Sequence, residues 1–203
     1  MSETGSVKFS CEHVAETIAP FAEFAPLNEY RRRLHALGFI GVGADGIGFG
    51  NVSVRDGKRG GFYITGSGTG NCAELTLADC AKVVAYDFEK NWLRCEGSTL
   101  ASSESLTHAA VYEAEPQAGA VIHGHHLKWW SALREKVATT SPGVGYGTPE
   151  MAQAVKRLWA TTTVGRTGFF VMGGHREGLV SFGRDLGEAL AALLAAGEFV
   201  REE

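Results

Sequence analysis

The ten residues VIHGHHLKWW, 121–130, set three histidines within four positions behind an apolar pair. His123 and His125 form an H-x-H. The segment AGAVIHGHH, 118–126, reads as a short buried strand, and strand side chains alternate between faces. Positions i and i+2 therefore project together, so His123 and His125 can meet one ion while His126 points elsewhere. Neutral imidazole suits zinc and other divalent first-row metals. An isolated H-x-H is weak evidence, because so short a pattern recurs by chance. Two ligands on one strand also do not make a site.

The best third ligand is His175 in VMGGHREGLV, 171–180. It follows an apolar strand and a glycine pair, which lets the backbone approach something closely. Taken alone, it reads as a polar turn residue. His13, His35 and His108 fall within helical patterns and read as structural or solvated. The four cysteines, Cys11, Cys72, Cys80 and Cys95, contain no C-x-x-C pair. That disfavours a thiolate zinc knuckle and a redox dithiol. A metal here rests on histidine and carboxylate.

Around this stretch the chain alternates helices with short strands. The region up to Gly38 reads as helical, interrupted at Pro20 and Pro26; LNEYRRRLHALG carries Leu27, Tyr30, Leu34 and Leu37 at helical spacing. FGNVSVRD and GFYIT have strand chemistry. A short helix from Thr76 runs into a strand at KVVAYDF. Ser103 is placed to cap a helix through ESLTHAAVYEAEP, and Pro149 to open another. GFFVMGGHREGLVSFG reads as strand, turn and strand, and RDLGEALAALLAAGEFV as a final helix. The pattern predicts a layered α/β domain around a mixed sheet, a single domain over 1–203.

Two further stretches bear on chemistry. In LASSESLTH, 100–108, Ser102 and Ser103 precede Glu104 at a predicted helix start, where free N–H groups and hydroxyls can hold an anion. Glu104 lies about a helix and a turn before His123, so a hairpin-like return can bring it to a metal. The plain alternative is an N-cap serine with an acid in the first turn. GVGADG, 41–46, matches a dinucleotide fingerprint, but strand chemistry follows it where a helix should open. The loop TGSGTGN, 65–71, can present N–H groups to a phosphate, yet lacks the Lys-Ser/Thr ending of an ATP-binding loop.

The whole composition limits the partners. The chain has 203 residues, 44% hydrophobic and 21% charged, with net charge -4. No basic tract points to nucleic acid. No apolar run nears the ~18 residues of a membrane span. The N-terminus lacks signal-peptide features, so the expected location is cytoplasmic.

Taken in order, GNVSVR (50–55), YITGSG (63–68), ASSE (101–104), VIHGHH (121–126), YGTPEMAQAV (146–155) and GGHREGLVSFG (173–183) resemble the class II aldolase/adducin family, over about residues 27–195. The resemblance implies a three-layer α/β/α sandwich with a mixed central β-sheet. It implies a divalent metal, zinc first and manganese, cobalt or iron as alternatives, held by His123, His125 and His175. Glu104 matches the family's acid/base. Gly50, Asn51, Ser67, Gly68, Ser102 and Ser103 match its phosphate-binding positions. The expected function is aldolase-type cleavage of a small hydroxylated carbonyl compound, a sugar phosphate first, through a metal-stabilised enediolate. Epimerase, decarboxylase or dehydratase chemistry at the same site, or a non-catalytic adducin-like binding module, are the alternatives. A homotetramer with active sites at subunit interfaces is expected.

Some residues depart from that pattern. His175-Arg176-Glu177-Gly178 stands where sugar-phosphate aldolases often have H-G. The phosphate loop has Thr65-Gly66-Ser67-Gly68 where proline is usual. His126, Lys128 and Trp129-Trp130 are not expected there. Tyr146 falls near a region where relatives supply a proton donor. These departures leave the substrate open.

Overall fold

The computed structural model describes residues 8–57 and 60–201. The first element among the described residues is a strand, β1 (Ser10–Val14), which corrects the helical reading of that stretch; the part of the reading over residues 1–7 lies outside the described residues. β1 finds its partner 82 positions on, with Ser10 opposite Trp92 in a parallel pair, so tertiary pairing overrides local pattern. His13 accordingly lies on a strand, its Nε2 2.8 Å from the Gly97 carbonyl. Helix α1 spans Phe24–Ala36 and buries Leu27, Arg31 and Leu34. Pro26 does not interrupt it. It sits in the first turn, where a backbone N–H has no intrahelical acceptor and its loss is tolerated.

A small hairpin follows, β2 (Gly41–Val42) and β3 (Gly48–Phe49). Its turn is held by the Ile47 N–H donating to Asp45 Oδ1 at 3.0 Å. GVGADG is thus hairpin, not the opening of a nucleotide-binding helix. Next come β4 (Asn51–Arg55), β5 (Phe62–Thr65), β6 (Cys80–Asp87) and β7 (Trp92–Glu96). The short helix predicted from Thr76 is a single 3-10 turn, Leu77–Asp79, with a capping box between Thr76 and Asp79. The remainder runs α2 (Ser105–Ala114), β8 (Ala120–His125), α3 (Leu127–Leu133), α4 (Pro149–Thr161), α5 (Val164–Thr167), β9 (Phe169–Val171), β10 (Gly178–Gly183), α6 (Leu186–Ala196) and α7 (Glu198–Arg201).

Eight strands form one sheet in the order β1-β7-β6-β5-β4-β8-β10-β9. Every pair is antiparallel except β1–β7, so the sheet is mixed. Two hydrophobic cores cover its two faces. On one, Leu106 and Val111 of α2 and Met151 and Val155 of α4 pack over Val121 and Val180. On the other, Leu27 and Leu34 of α1 and Leu186, Leu190 and Leu193 of α6 pack over Ile122 and Leu179. This is the mixed-sheet α/β domain read from the pattern, with the α/β/α layering that the family resemblance implies. No helix among the described residues is long and apolar enough to cross a membrane.

Candidate metal centre

Strand β8 lies between β4 and β10, and all six of its residues are buried. Its alternation decides where the histidines go. Ile122 turns to the α1/α6 core, while Val121 turns to the α2/α4 core, and His123 and His125 follow Val121 by parity. The register sets Asn51 opposite His123 on β4, and Gly178 opposite His125 on β10. The site therefore forms where the C-terminal end of β8 meets the N-terminal ends of β4 and β10.

His123 Nδ1 is 3.1 Å from the Leu179 carbonyl, so the ring donates there and its Nε2 carries the lone pair. That Nε2 is 3.1 Å from His125 Nε2. His175 comes from the turn between β9 and β10, its ring 5.2 Å from His123 and 4.7 Å from His125. Gly173 and Gly174 make this possible. A Cβ on either would stand 2.1 Å from the Thr140 carbonyl or 2.0 Å from that of Val144. The glycine pair thus approaches backbone, as the sequence suggested.

One ligand atom from each of the three histidines lies within 4.8 Å of the others. His175 Nε2 is buried without a hydrogen-bond partner, and His175 Nδ1 and Glu104 Oε1, also buried, have only each other, at 3.3 Å. Two imidazole nitrogens on a tetrahedral ion at about 2.1 Å stand about 3.4 Å apart, close to the observed pair. The donor set and its unpaired atoms fit a divalent cation.

Burial alone would favour neutral imidazoles, and it does. His125 is pushed down to about 3, by burial first and His175 second. Burial also holds His123 well below its ordinary value, although Glu104 pulls the other way. Both are neutral near pH 7, as a metal ligand must be.

Glu104 is 2% exposed. Burial opposes its ionisation, but the rings of His175 and His123 and the Thr107 hydroxyl outweigh it and hold the carboxyl down at about 2. The Thr107 hydroxyl donates to Oε2 at 2.7 Å, and Oε1 is 3.3 Å from His175 Nδ1. One oxygen is thus anchored while the other faces the histidines. Ser103 is not the helix cap expected of it. Glu104 occupies the N-cap of α2, and its N–H donates to Ser102 Oγ at 3.3 Å.

The same pocket is lined by Gly50, Asn51, Ser67, Gly68, Ser102 and Ser103. All ten residues singled out from the sequence therefore border one cleft. Gly50 has φ +78, and a Cβ there would meet the Phe39 carbonyl at 2.8 Å, so only glycine fits. Asn51 Oδ1 is buried and unpartnered. Phe49 stacks on His125 with centroids 5.2 Å apart, and Tyr146 on His175 at 4.5 Å. Past these two rings the site opens to a wider cleft bordered by Lys8, Asp45 and Arg176. Thr107 and Phe49 escaped the sequence reading. Thr107 had a signal, standing one helical turn after Glu104; Phe49 had only its place before Gly50.

The unexpected HLKWW run lies on α3, away from the pocket. His126 caps that helix by accepting the Trp129 N–H at 3.3 Å. Trp130 Nε1 donates to the Met172 carbonyl at 2.9 Å, and Trp129 packs edge-on against Phe39.

His108 sits behind Glu104, with Nδ1 2.7 Å from Ser53 Oγ, which is 2.8 Å from the Tyr112 hydroxyl. Burial pushes it down to about 4, against the pull of Glu104. Between pH 6.5 and 4 the unfolded chain binds a proton at this residue that the folded one does not, so stability is lost as pH falls through that window. His108→Gln should flatten the acid limb of the Tm–pH curve there, by roughly 3 kcal/mol at most. An unchanged limb would show that His108 is not held neutral.

The fold and the cluster define an α/β protein whose histidines could hold a metal ion in a cleft of glycines and hydroxyls. The chain belongs to the class II aldolase and adducin family: the profile of the "Class II Aldolase and Adducin N-terminal domain" matches residues 39–201. Solved structures share the fold. L-fuculose-1-phosphate aldolase from Thermus thermophilus is 24% identical over 88% of this chain and 91% of its own, with TM-score 0.63. A sugar-phosphate aldolase from Thermotoga maritima is 15% identical over 88% and 92%, with TM-score 0.67. YgbL of Klebsiella pneumoniae, named as an aldolase, epimerase or decarboxylase, is 21% identical over 88% and 86%, with TM-score 0.62.

Proposed function

We propose that this protein is a divalent-metal-dependent lyase that cleaves a carbon–carbon bond, aldolase fashion, in a small hydroxylated carbonyl compound, a sugar phosphate first. The observation that carries the reading is the convergence of three buried histidines with an ionised Glu104 at the wall of a polar pocket. His123, His125 and His175 would hold the metal, zinc first and manganese, cobalt or iron as alternatives. A bound divalent ion would supply Lewis-acid stabilisation of negative charge on the substrate's oxygens.

The chain's own residues do the rest. Glu104, with Oε2 fixed by Thr107, presents Oε1 to move a proton at the substrate carbon or hydroxyl beside the histidines. Gly50, Asn51, Ser67, Gly68, Ser102 and Ser103 would hold the substrate's anionic group by N–H and O–H donors. Phe49 and Tyr146 flank two of the histidines and limit water at the reacting end. The likeness to YgbL supports a second reading, in which the same metal and Glu104 serve epimerisation or decarboxylation. Dehydration is chemically akin. A non-catalytic adducin-like module is disfavoured, because all three histidines and Glu104 are present and face one another. We place the protein in the cytoplasm, in keeping with four free cysteines, as a single domain and a homo-oligomer, a tetramer first, without nucleic-acid or membrane partners.

The test is a panel of sugar phosphates and hydroxy-keto acids offered to the metal-loaded protein. Release of an aldehyde, abolished by chelator and restored by metal, is the expected result. Product with the carbon chain intact would replace cleavage by epimerisation or dehydration, and release of carbon dioxide would replace it by decarboxylation. No turnover of any member by fully metal-loaded protein would contradict the reading.

A further inference from the structure

Arg31 lies on the inward stripe of α1 between Leu27 and Leu34 and is 0% exposed. A guanidinium keeps its charge in proteins, and a buried charge is costly unless it is partnered. Its Nη1 and Nη2 donate to the main-chain carbonyls of Cys72 and Thr69. Its Nε is buried without a partner. Among the described residues no carboxylate forms an ion pair with it. Asp79 acts on it only through space, since that carboxylate is taken up by the N–H and hydroxyl of Thr76. The positive charge is therefore left without a matching negative one.

The two carbonyls belong to the loop whose other side lines the pocket with Ser67, Gly68, Thr69 and Gly70. Within one peptide plane the C=O and the following N–H point opposite ways. Drawing the Thr69 carbonyl toward Arg31 turns the Gly70 N–H away from it. The loop is closely packed at this point, as a Cβ on Gly70 would stand 2.1 Å from the Gly41 carbonyl. Among the described residues the pocket lining contains no lysine or arginine, and its one carboxylate is Glu104. Arg31 is a cation that stands directly behind the loop.

We propose that Arg31 is a positioning residue for an anion-binding loop: it pins Thr69 and Cys72, and it sets behind them a positive charge that a phosphate or similar dianion on the substrate offsets. This rests on the proposed lyase reading for its substrate, though not for its geometry. It names the substrate class as one carrying a dianionic group, bound without direct contact to any lysine or arginine of the pocket. Arg31 acts through the loop and touches no substrate.

Asn28, one turn earlier on α1, provides the comparison. Its amide pairs twice with Leu75, donating to the carbonyl at 2.9 Å and accepting the N–H at 3.0 Å. It ties the following stretch to the same helix without charge. The test measures inorganic phosphate binding to full-length, metal-loaded protein by calorimetry, with the phosphate-induced shift in Tm alongside. Arg31→Met is expected to bind phosphate about tenfold more weakly or worse, as removal of a buried charge implies. Arg31→Lys should recover part of that loss, and Asn28→Ala should lower Tm while leaving phosphate affinity within about twofold, since the charge stays in place. With a turned-over sugar phosphate, Arg31→Met should raise KM more than it lowers kcat.

Phosphate affinity in Arg31→Met equal to the parent's, or a parent that binds no phosphate, overturns the proposal. Should Arg31→Met fail to fold, Arg31→Lys decides. Its forked grip is lost, so it must weaken phosphate more than Asn28→Ala does, and an equal effect overturns the role. Turnover with Arg31-independent phosphate binding removes only this inference. Arg31-dependent binding without any turnover removes only the lyase reading.

Discussion

Glu104→Gln is expected to lower turnover by roughly 10²–10⁴-fold, the range of a lost general acid/base, with metal content unchanged. The substitution keeps shape and volume. It removes the negative charge and the proton-accepting oxygen that face the histidines, while its carbonyl can still take the Thr107 hydroxyl that now bonds Oε2 at 2.7 Å. The carboxyl is held down at about 2, so the parent acts from the ionised form throughout the neutral range. The measurement is kcat beside metal analysis of the same sample. A rate within a factor of a few of the parent, metal present, would remove the acid/base assignment. A parallel loss of metal would make Glu104 a ligand instead.

His125→Ala should strip the metal. Its Nε2 stands 3.1 Å from that of His123, and two remaining histidines leave a divalent ion short of ligands. Loss of an outer partner of a ligand typically costs about 10–100-fold in metal affinity, and loss of a ligand itself should exceed that. His126→Ala, one residue on, is the control. That ring caps α3, so its removal should lower stability modestly and leave metal in place. Equal metal retention in the two variants would mean that the ligand set is wrong.

Much of this site was legible in the sequence because strand geometry is strict. Once AGAVIHGHH is read as strand, i and i+2 must share a face, and His123 and His125 do. The glycine pair before His175 forecast close backbone approach, and the carbonyls of Thr140 and Val144 are what it approaches. The mixed sheet also followed from the order of patterns, and the helices on both its faces from the family resemblance. Long-range pairing was hidden. Nothing in SCEHV announces a strand, because what makes it one is the edge of β7, 82 positions away. Strand β7 itself, WLRCE, was equally unforeseen. Ser103 looked like a cap, but the chain makes its turn one residue later, with Ser102 accepting the Glu104 N–H. Arg31 is one of three consecutive arginines in LNEYRRRLHALG, and the helical pattern rests on its leucines and Tyr30 alone. Which of the three points inward depends on the rotation of α1 against the sheet, and only the fold sets that. The HLKWW run stood out as unexpected beside the histidines in sequence. A helix begins there and carries it away.

The most direct test of the account is the metal content of the purified, tag-free protein, measured per chain by elemental analysis. The account predicts about one equivalent of zinc, manganese, cobalt or iron, the stoichiometry of a single three-ligand site. No bound metal, even after refeeding with divalent ions, would contradict it and leave His123, His125 and His175 as three buried imidazoles without a shared purpose.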